Sequence, residues 1–335
     1  MNKIAQSPPL SSEQMLLNRT SRLTLVVGVI LLILKFYAYR LTGSIAIYSD
    51  ALESIVNVVT GALTIFVIWY ASLPADEDHP YGHGKVESVA ASFEGGAIAF
   101  AGIMILVDSF TNIFLERKDV QDLDTGAFLV FFAGLVNGAY GLWVLKKGRE
   151  LHSESLKATG AHLFSDMLTS LGVLLGLLLV KVTEIPVLDP IIAIFFGGYL
   201  VYSGLKIFLS SIEILVDAQD RDLLMKLSKL FELHYRSGVI QIHFTRIIRS
   251  GRHHHIDCHM VIPEFWSVEK AHEFSEEFER DILTDYDTSG EFHIHLDPCR
   301  QKYCENCDFE PCPIRSKPFT NRLPFSYEEL VKHNG

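Results

Sequence analysis

The sequence predicts an α-helical membrane bundle of six transmembrane helices followed by a cytoplasmic α+β domain of ferredoxin-like type. Three observations predict it. Six apolar stretches each approach the ~20 residues that a bilayer crossing requires. From about Ile212 the composition turns polar and acidic, with short helical and strand-like segments. Two of the apolar stretches also carry pairs of metal-type side chains four residues apart, Glu53 with Asn57 and His162 with Asp166. Such i, i+4 residues share a helix face, about 5–6 Å apart.

Composition supports this class. The chain has 335 residues, 49% of them hydrophobic, and a mean hydropathy of +0.24. A soluble enzyme of this size would carry fewer long apolar runs. The net charge of -11 argues against a nucleic-acid binder, which needs a basic surface, and suits a protein that handles cations. The opening MNKIAQSPPLSSEQ is polar, and no cleavage-type site follows the first apolar run. That run is expected to stay as a membrane helix.

The spans follow in order. The first runs from about Leu23 to Leu41, and the second from Ile45 to Ser72, stopping at Pro74. The third, Val86 to Phe114, contains Glu87, Glu94 and Asp108. The fourth runs from Gly126 to Leu145, the fifth from Ser153 to Val182 with a polar first half, and the sixth from Ile191 to Leu209. Strict hydropathy would miss the third and fifth. Their polar residues make sense if those faces line a bundle interior. Gly95, Gly96, Gly172, Gly197 and Gly198 are small enough for close helix contacts. Lys146, Lys147, Arg149 and Lys157 place the linker after span four in the cytoplasm, and with six spans both termini as well. Arg117 and Lys118 after span three blur that bias.

In the polar domain, Arg221–His234 and Val268–Leu283 have helical periodicity. Gln241–Ile248, His254–Pro263 and Glu291–Leu296 read as strands. Asn321–Gly335 reads as an unanchored polar tail.

The chemistry-bearing residues fall into four sets. A charged group at bilayer depth costs roughly 2.5–3.5 kcal/mol, so Glu53, Asn57, His162 and Asp166 are expected to have a use there. His162 and Asp166 could serve as a capping or interhelical hydrogen-bond pair. All four could instead form an N/O site for a divalent ion, with Asp50 as a helper. Asp76, His79 and His83 lie in a turn-rich loop. Their spacing is compatible with an exposed metal site or with a solvated acidic loop whose histidines cap the next helix. The polar domain holds nine of the fourteen histidines between His234 and His295. His243, His259, His272, His295 and Asp297 are its candidate ligands, with His295 and Asp297 alternating onto one strand face. The run His253–His254–His255 reads as a solvated hairpin tip. Finally, Cys299, Cys304, Cys307 and Cys312 resemble a compact four-thiolate zinc or iron–sulfur loop, at a spacing that matches no standard signature. A reduced, flexible thiol tail is the other reading.

With these stretches in this order, the chain resembles the cation diffusion facilitator family from roughly Leu17 to Cys299. SDALESIVN is similar to the family's span-two signature, PADEDHPYGHGKVES to its loop, AHLFSD to its span-five signature and FHIHLDPC to the end of its cytoplasmic domain. The resemblance implies a tetrahedral transport site at Glu53, Asn57, His162 and Asp166. Well-studied bacterial zinc/iron-type members carry two aspartates where this chain has Glu53 and Asn57, which leaves the ion preference open. It further implies a loop site at Asp76, His79 and His83, a binuclear site at His243, His259, His272, His295 and Asp297, and a Lys85–Asp217 interlock. The cysteine-rich tail lies outside the family pattern.

The resulting expectation is a homodimeric, proton-coupled exporter of divalent metal in the cytoplasmic membrane, and no enzyme. Zn2+ is the first candidate, with Fe2+, Cd2+, Co2+ and Mn2+ open. The expected division is an N-terminal segment (1–20), a transmembrane domain (21–211), a metal-binding dimerisation domain (212–298) and a Cys-rich tail (299–335). The expected partners are a second copy of the chain, the metal cation, protons and the lipid bilayer, with no nucleic acid. A membrane sensor that binds metal without moving it is the alternative. No His-Glu-x-x-His or nucleophile elbow supports a hydrolase.

Overall fold

The computed structural model describes residues 12–42, 45–114, 124–185 and 187–333, with the backbone alone at some helix positions, Glu53 and Asp108 among them. The chain forms two compact units, Met1–Leu215 and Val216–Gly335. Arg117 and Lys118 lie outside the described residues.

The first unit is built of α1 (Ser12–Thr42), α2 (Ile45–Ala71), α3 (Val86–Phe114), α4 (Asp124–Glu150), α5 (Glu154–Thr183) and α6 (Leu188–Leu215). At 27 to 31 residues each, they are longer than a ~30 Å hydrocarbon core demands at 1.5 Å per residue. Its packing is inverted relative to a soluble protein. Ile33, Phe66, Phe93, Phe132 and Phe195 point outward, whereas Asn57, Thr64, Glu87, Glu94, Asn137 and Asp166 are buried. A lipid surround accounts for both halves of that pattern. Among the described residues, α1, α3 and α6 are long and apolar enough to cross a membrane by hydropathy, and α2 adds the shorter apolar stretch Asn57–Ala71. The third helix therefore passes a test it was expected to miss. The helix α1 starts at Ser12, well before Leu23. Its first turns bury polar Gln14 and Thr20, which a hydropathy reading passes over.

The main pairings are α3 with α6 and α4 with α5. Glycines bring the α3 and α6 backbones together. A Cβ on Gly102 would stand 2.8 Å from the Gly197 carbonyl oxygen, and one on Gly95 would stand 2.9 Å from that of Gly204. Gly96 and Gly198, by contrast, have room for a side chain.

The second unit contains α7 (Arg221–Leu233), β1 (Gln241–Ser250), β2 (His253–Ile262), α8 (Val268–Asp285), β3 (Ser289–Pro298) and a short α9 (Tyr327–Leu330). The Asp220 carboxylate caps α7 by accepting from the Asp222 and Leu223 amides, and Ser267 caps α8 through the Lys270 amide. The sheet order is β1-β2-β3, with β1 and β2 antiparallel and β2 and β3 parallel. Period-two alternation sends Ile256, Cys258, Met260 and Ile262 into one core with Phe231 of α7 and Phe278 of α8. The odd positions of β2 carry His255, Asp257 and His259 to the other face.

The C-terminal segment is anchored, contrary to the sequence expectation. Phe325 and Leu330 are buried in the same core, the Ser228 hydroxyl donates to the Phe325 carbonyl, and the Phe244 amide donates to the Lys332 carbonyl at 2.9 Å. Phe325 and Leu330, with Tyr327 and Val331 packed beside them, make the attachment, too scattered a set to register as an apolar run.

Candidate metal centres

Helices α2 and α5 bring three of the four intramembrane candidates together. The Asn57 Nδ2 donates to Asp166 Oδ2 at 2.5 Å, and His162 Nε2 lies 2.8 Å from Asn57 Oδ1. An ionised carboxylate only accepts, so the amide nitrogen faces Asp166 and its oxygen is left for the imidazole N–H. Asn57 and Asp166 are buried. Glu53 lies on α2 one turn before Asn57, and its side chain is outside the described residues, as is that of Asp50.

This cluster ends a polar column on one face of α5, formed by Ser155, Thr159, His162 and Asp166. The neighbouring α3 supplies two buried carboxylates. Glu87 accepts from the Ser153 hydroxyl and from the Ser155 amide at the start of α5, where the helix dipole favours an anion. Glu94 Oε1 accepts from Thr159 Oγ1 at 3.1 Å, and Thr159 lies 3.0 Å from Thr64 of α2. Glu94 Oε2 is buried with no hydrogen-bond partner among the described residues.

The loop between α2 and α3 gathers Asp76, His79 and His83, with one ligand-type atom from each within 4.8 Å of the others. His79 Nδ1 lies 3.1 Å and His83 Nε2 3.4 Å from the two oxygens of Asp76. The left-handed turn that returns His83 to this group uses Gly82, at φ 74°. The His79 backbone amide, donating at 2.7 Å, holds the Asp76 carboxyl below its usual range. His83 is buried and its Nδ1 has no hydrogen-bond partner among the described residues, while Asp76 and His79 are exposed. Lys85 follows at the entry to α3, and Asp217 follows α6 in the second unit at φ 55°.

On the sheet, His243, His259 and His295 stand opposite one another across all three strands. His243, His259 and Asp297 offer ligand atoms within 4.8 Å of one another. Asp297 is the hub. Its carboxylate lies 2.9 Å from His259 Nδ1, 3.7 Å from His243 Nε2 and 3.5 Å from His295 Nε2. A bulge after His243 aims this end of β1, and Phe244 within it takes φ 50°, a conformation costly for a large side chain. Burial lowers the His243 pKa, which favours the neutral imidazole, and its Nδ1 has no hydrogen-bond partner among the described residues. The structure does not bring His272 into this group. It sits on the polar side of α8, exposed, with Nε2 3.3 Å from Glu276.

A third cluster went unread in the sequence. His253, His255 and Glu291 also place ligand-type atoms within 4.8 Å of one another, with His293 Nε2 3.4 Å from Glu291. Within the run His253–His255, only His253 sits exposed at the tip. His255 is buried against Glu291 at 2.5 Å, and His254 is buried with Nδ1 2.8 Å from the Tyr286 hydroxyl. The parallel β2–β3 register, which creates these contacts, leaves no local mark in the chain. Cys299, Cys304, Cys307 and Cys312 line a common pocket at looser spacing.

Residues 21–216 match the family model for the cation efflux transmembrane domain, and residues 220–299 match that for the cation efflux protein cytoplasmic domain. The chain belongs to the cation efflux family, the cation diffusion facilitators. This efflux protein is 30% identical to the uncharacterized transporter sll1263 of Synechocystis over 266 residues, covering 79% of the chain and 85% of that protein. It is 28% identical to the cation-efflux pumps FieF of Yersinia pestis and Yersinia pseudotuberculosis over 277 residues, covering 81% of the chain and 89% of each pump. The family assigns it to the cytoplasmic membrane as a metal-cation transporter rather than an enzyme, with a cytoplasmic domain of the dimerising type.

Proposed function

We propose that this efflux protein exports a divalent transition-metal cation from the cytosol in exchange for protons. In this reading it works as a homodimer whose α1–α6 all cross the bilayer with both termini in the cytoplasm. The observation that carries the reading is the buried Asn57 bridge between His162 and Asp166. Both metal-type groups are turned toward the amide. For an ion to bind, the Asp166 oxygen must release the Asn57 amide, and His162 must present a bare Nε2. Starting from the imidazolium, that step sends one proton to solvent as metal arrives, and protonation of the imidazole on the far side releases the ion. A membrane potential adds ~2.3 kcal/mol per charge per 100 mV to inward proton flow.

Glu53 completes the ligand set on this proposal. The N/O donors suit Zn2+ first, and Fe2+, Cd2+, Co2+ and Mn2+ remain within their range. The Asp76–His79–His83 and His243–His259–Asp297 clusters act as accessory cation sites. The outward apolar side chains on α2 and α4, Phe66 and Phe132 among them, support six crossings.

Metal flux into proteoliposomes tests this. Asp166→Ala should abolish flux while membrane insertion stays normal. Removal of a direct ligand should exceed the ~10–100-fold loss of an outer partner. Flux within about twofold of the parent would reject the site. Metal binding without flux in the parent would instead indicate a sensor.

A further inference from the structure

Beyond the transport path, the segment after β3 poses a physical question. From Cys299 to Phe325 the backbone contains one 3-10 turn, Gln301–Asn306, and no other regular element. Ordering irregular chain costs conformational entropy at every residue, and structureless loops of this length are uncommon in compact domains. The apolar cluster beneath it is small, with Ile240, Val261, Tyr303 and Cys307 at its centre.

The four cysteines supply the missing element. All of them line one pocket, bordered by Glu264 and Arg315. The donors around it point at sulfur. Cys299 Sγ accepts from the Glu264 amide at 3.5 Å, and Cys304 Sγ accepts from the Ser316 amide and hydroxyl at 3.5 and 3.4 Å. A neutral thiol is a weak acceptor, so donors converging on two of the sulfurs suit thiolates. Arg315 donates to the carbonyls of Cys304, Cys307 and Phe309, clamping the loop around the pocket and bringing a positive charge to it.

We propose that Cys299, Cys304, Cys307 and Cys312 hold one resident structural Zn2+ that locks the C-terminal extension onto the second unit. Four thiols bind one Zn2+ and release four protons, closing a tetrahedral site with Zn–S near 2.3 Å. A closed site of this kind leaves no position for cargo. Its consequence is mechanical. The extension carries Phe325 and Leu330 into the core, and its Lys332 carbonyl onto the bulge beside His243.

The test uses the full chain, reduced, purified in detergent and loaded with Co2+ in place of Zn2+. The parent should show thiolate-to-cobalt charge-transfer absorption and retain about one tightly held metal per chain through chelator dialysis, as structural sites do. C304S/C307S should lose both, and should melt at lower temperature. C312H, which keeps a fourth ligand, should retain the metal with a weaker thiolate band. Should C304S/C307S fail to fold, the parent and C312H spectra decide. No thiolate band in the reduced parent, or undiminished metal content in a folded C304S/C307S, overturns the proposal. Neither result depends on flux, so this inference and the transport reading fail separately.

Discussion

His259 Nδ1 lies 2.9 Å from Asp297 Oδ2, although the register partner of His259 is His295 and that of Asp297 is Val261. The contact is a diagonal across a parallel strand pair. It lets a single carboxylate reach three histidines at once, His243, His259 and His295. Asp297 is therefore the side chain whose loss should do most damage to this cluster. In the isolated second unit, added Zn2+ should raise the melting temperature of the parent, since a ligand of the folded state alone stabilises it. Asp297→Asn keeps the shape and removes the charge. It should abolish most of that rise while changing the metal-free melting temperature little. An equal zinc-induced rise in both proteins would show that Asp297 is no ligand.

Acid should weaken the metal-free second unit. Burial lowers the pKa of His243 and of His253 from an ordinary 6.5. Around His243 stand Asp297, His259, Lys302 and Glu329, and around His253 stand His255 and Glu291, but burial is the largest influence on each. Below 6.5 the unfolded chain binds protons that the folded chain refuses, so stability falls as pH falls. Glu291 works in the same direction lower down. Its hydrogen bond from His255 depresses its pKa from 4.5, and that contribution is lost on further acidification. Denaturation in chelator from pH 7.5 to 5.5 should show the decline, and His243→Gln should flatten it. A slope of the opposite sign would refute the assignment.

Ion preference should turn on Asn57. Its amide donates to Asp166 and accepts from His162, so Asn57→Asp replaces a neutral bridge with a second carboxylate beside Asp166. Two facing carboxylates repel until a cation or a proton sits between them. Metal should bind more tightly, by about tenfold or more, and the order among Zn2+, Fe2+, Mn2+ and Co2+ should change. The same order and affinity in both proteins would place the ion elsewhere.

The second unit was legible because its strands alternate with period two and its helices carry separate apolar and polar faces. Every one of its five main elements starts within about two residues of the place that alternation indicates. The pairing of His162 with Asp166 on one face of α5 was equally readable, since i, i+4 is a local relation. The His255–Glu291 contact was not, because parallel register depends on a crossover through α8. The seat of Phe325 and Leu330 was hidden for a similar reason. Phe325, Tyr327, Leu330 and Val331 are scattered through a polar stretch and give no clear periodicity to read.

Glu94 offers a test of the route to the transport site. It is buried on α3, one oxygen held by Thr159 and the other without a hydrogen-bond partner among the described residues. Thr159 lies on the same α5 face as His162 and Asp166, about one turn away. A carboxylate in such surroundings is relieved by a cation or by a proton, and both move in the proposed exchange. Glu94→Gln keeps the volume and the bond from Thr159 but removes the charge. Flux at limiting metal should fall by about tenfold, as for an outer partner of a metal site, with a smaller change at saturating metal. Glu94→Asp, which restores the charge on a shorter stem, should recover part of the loss. A purely structural role predicts the reverse pattern, with lowered thermal stability and an unchanged half-saturating metal concentration. An unchanged half-saturation in Glu94→Gln would therefore remove Glu94 from the path and leave it as a packing partner of Thr159.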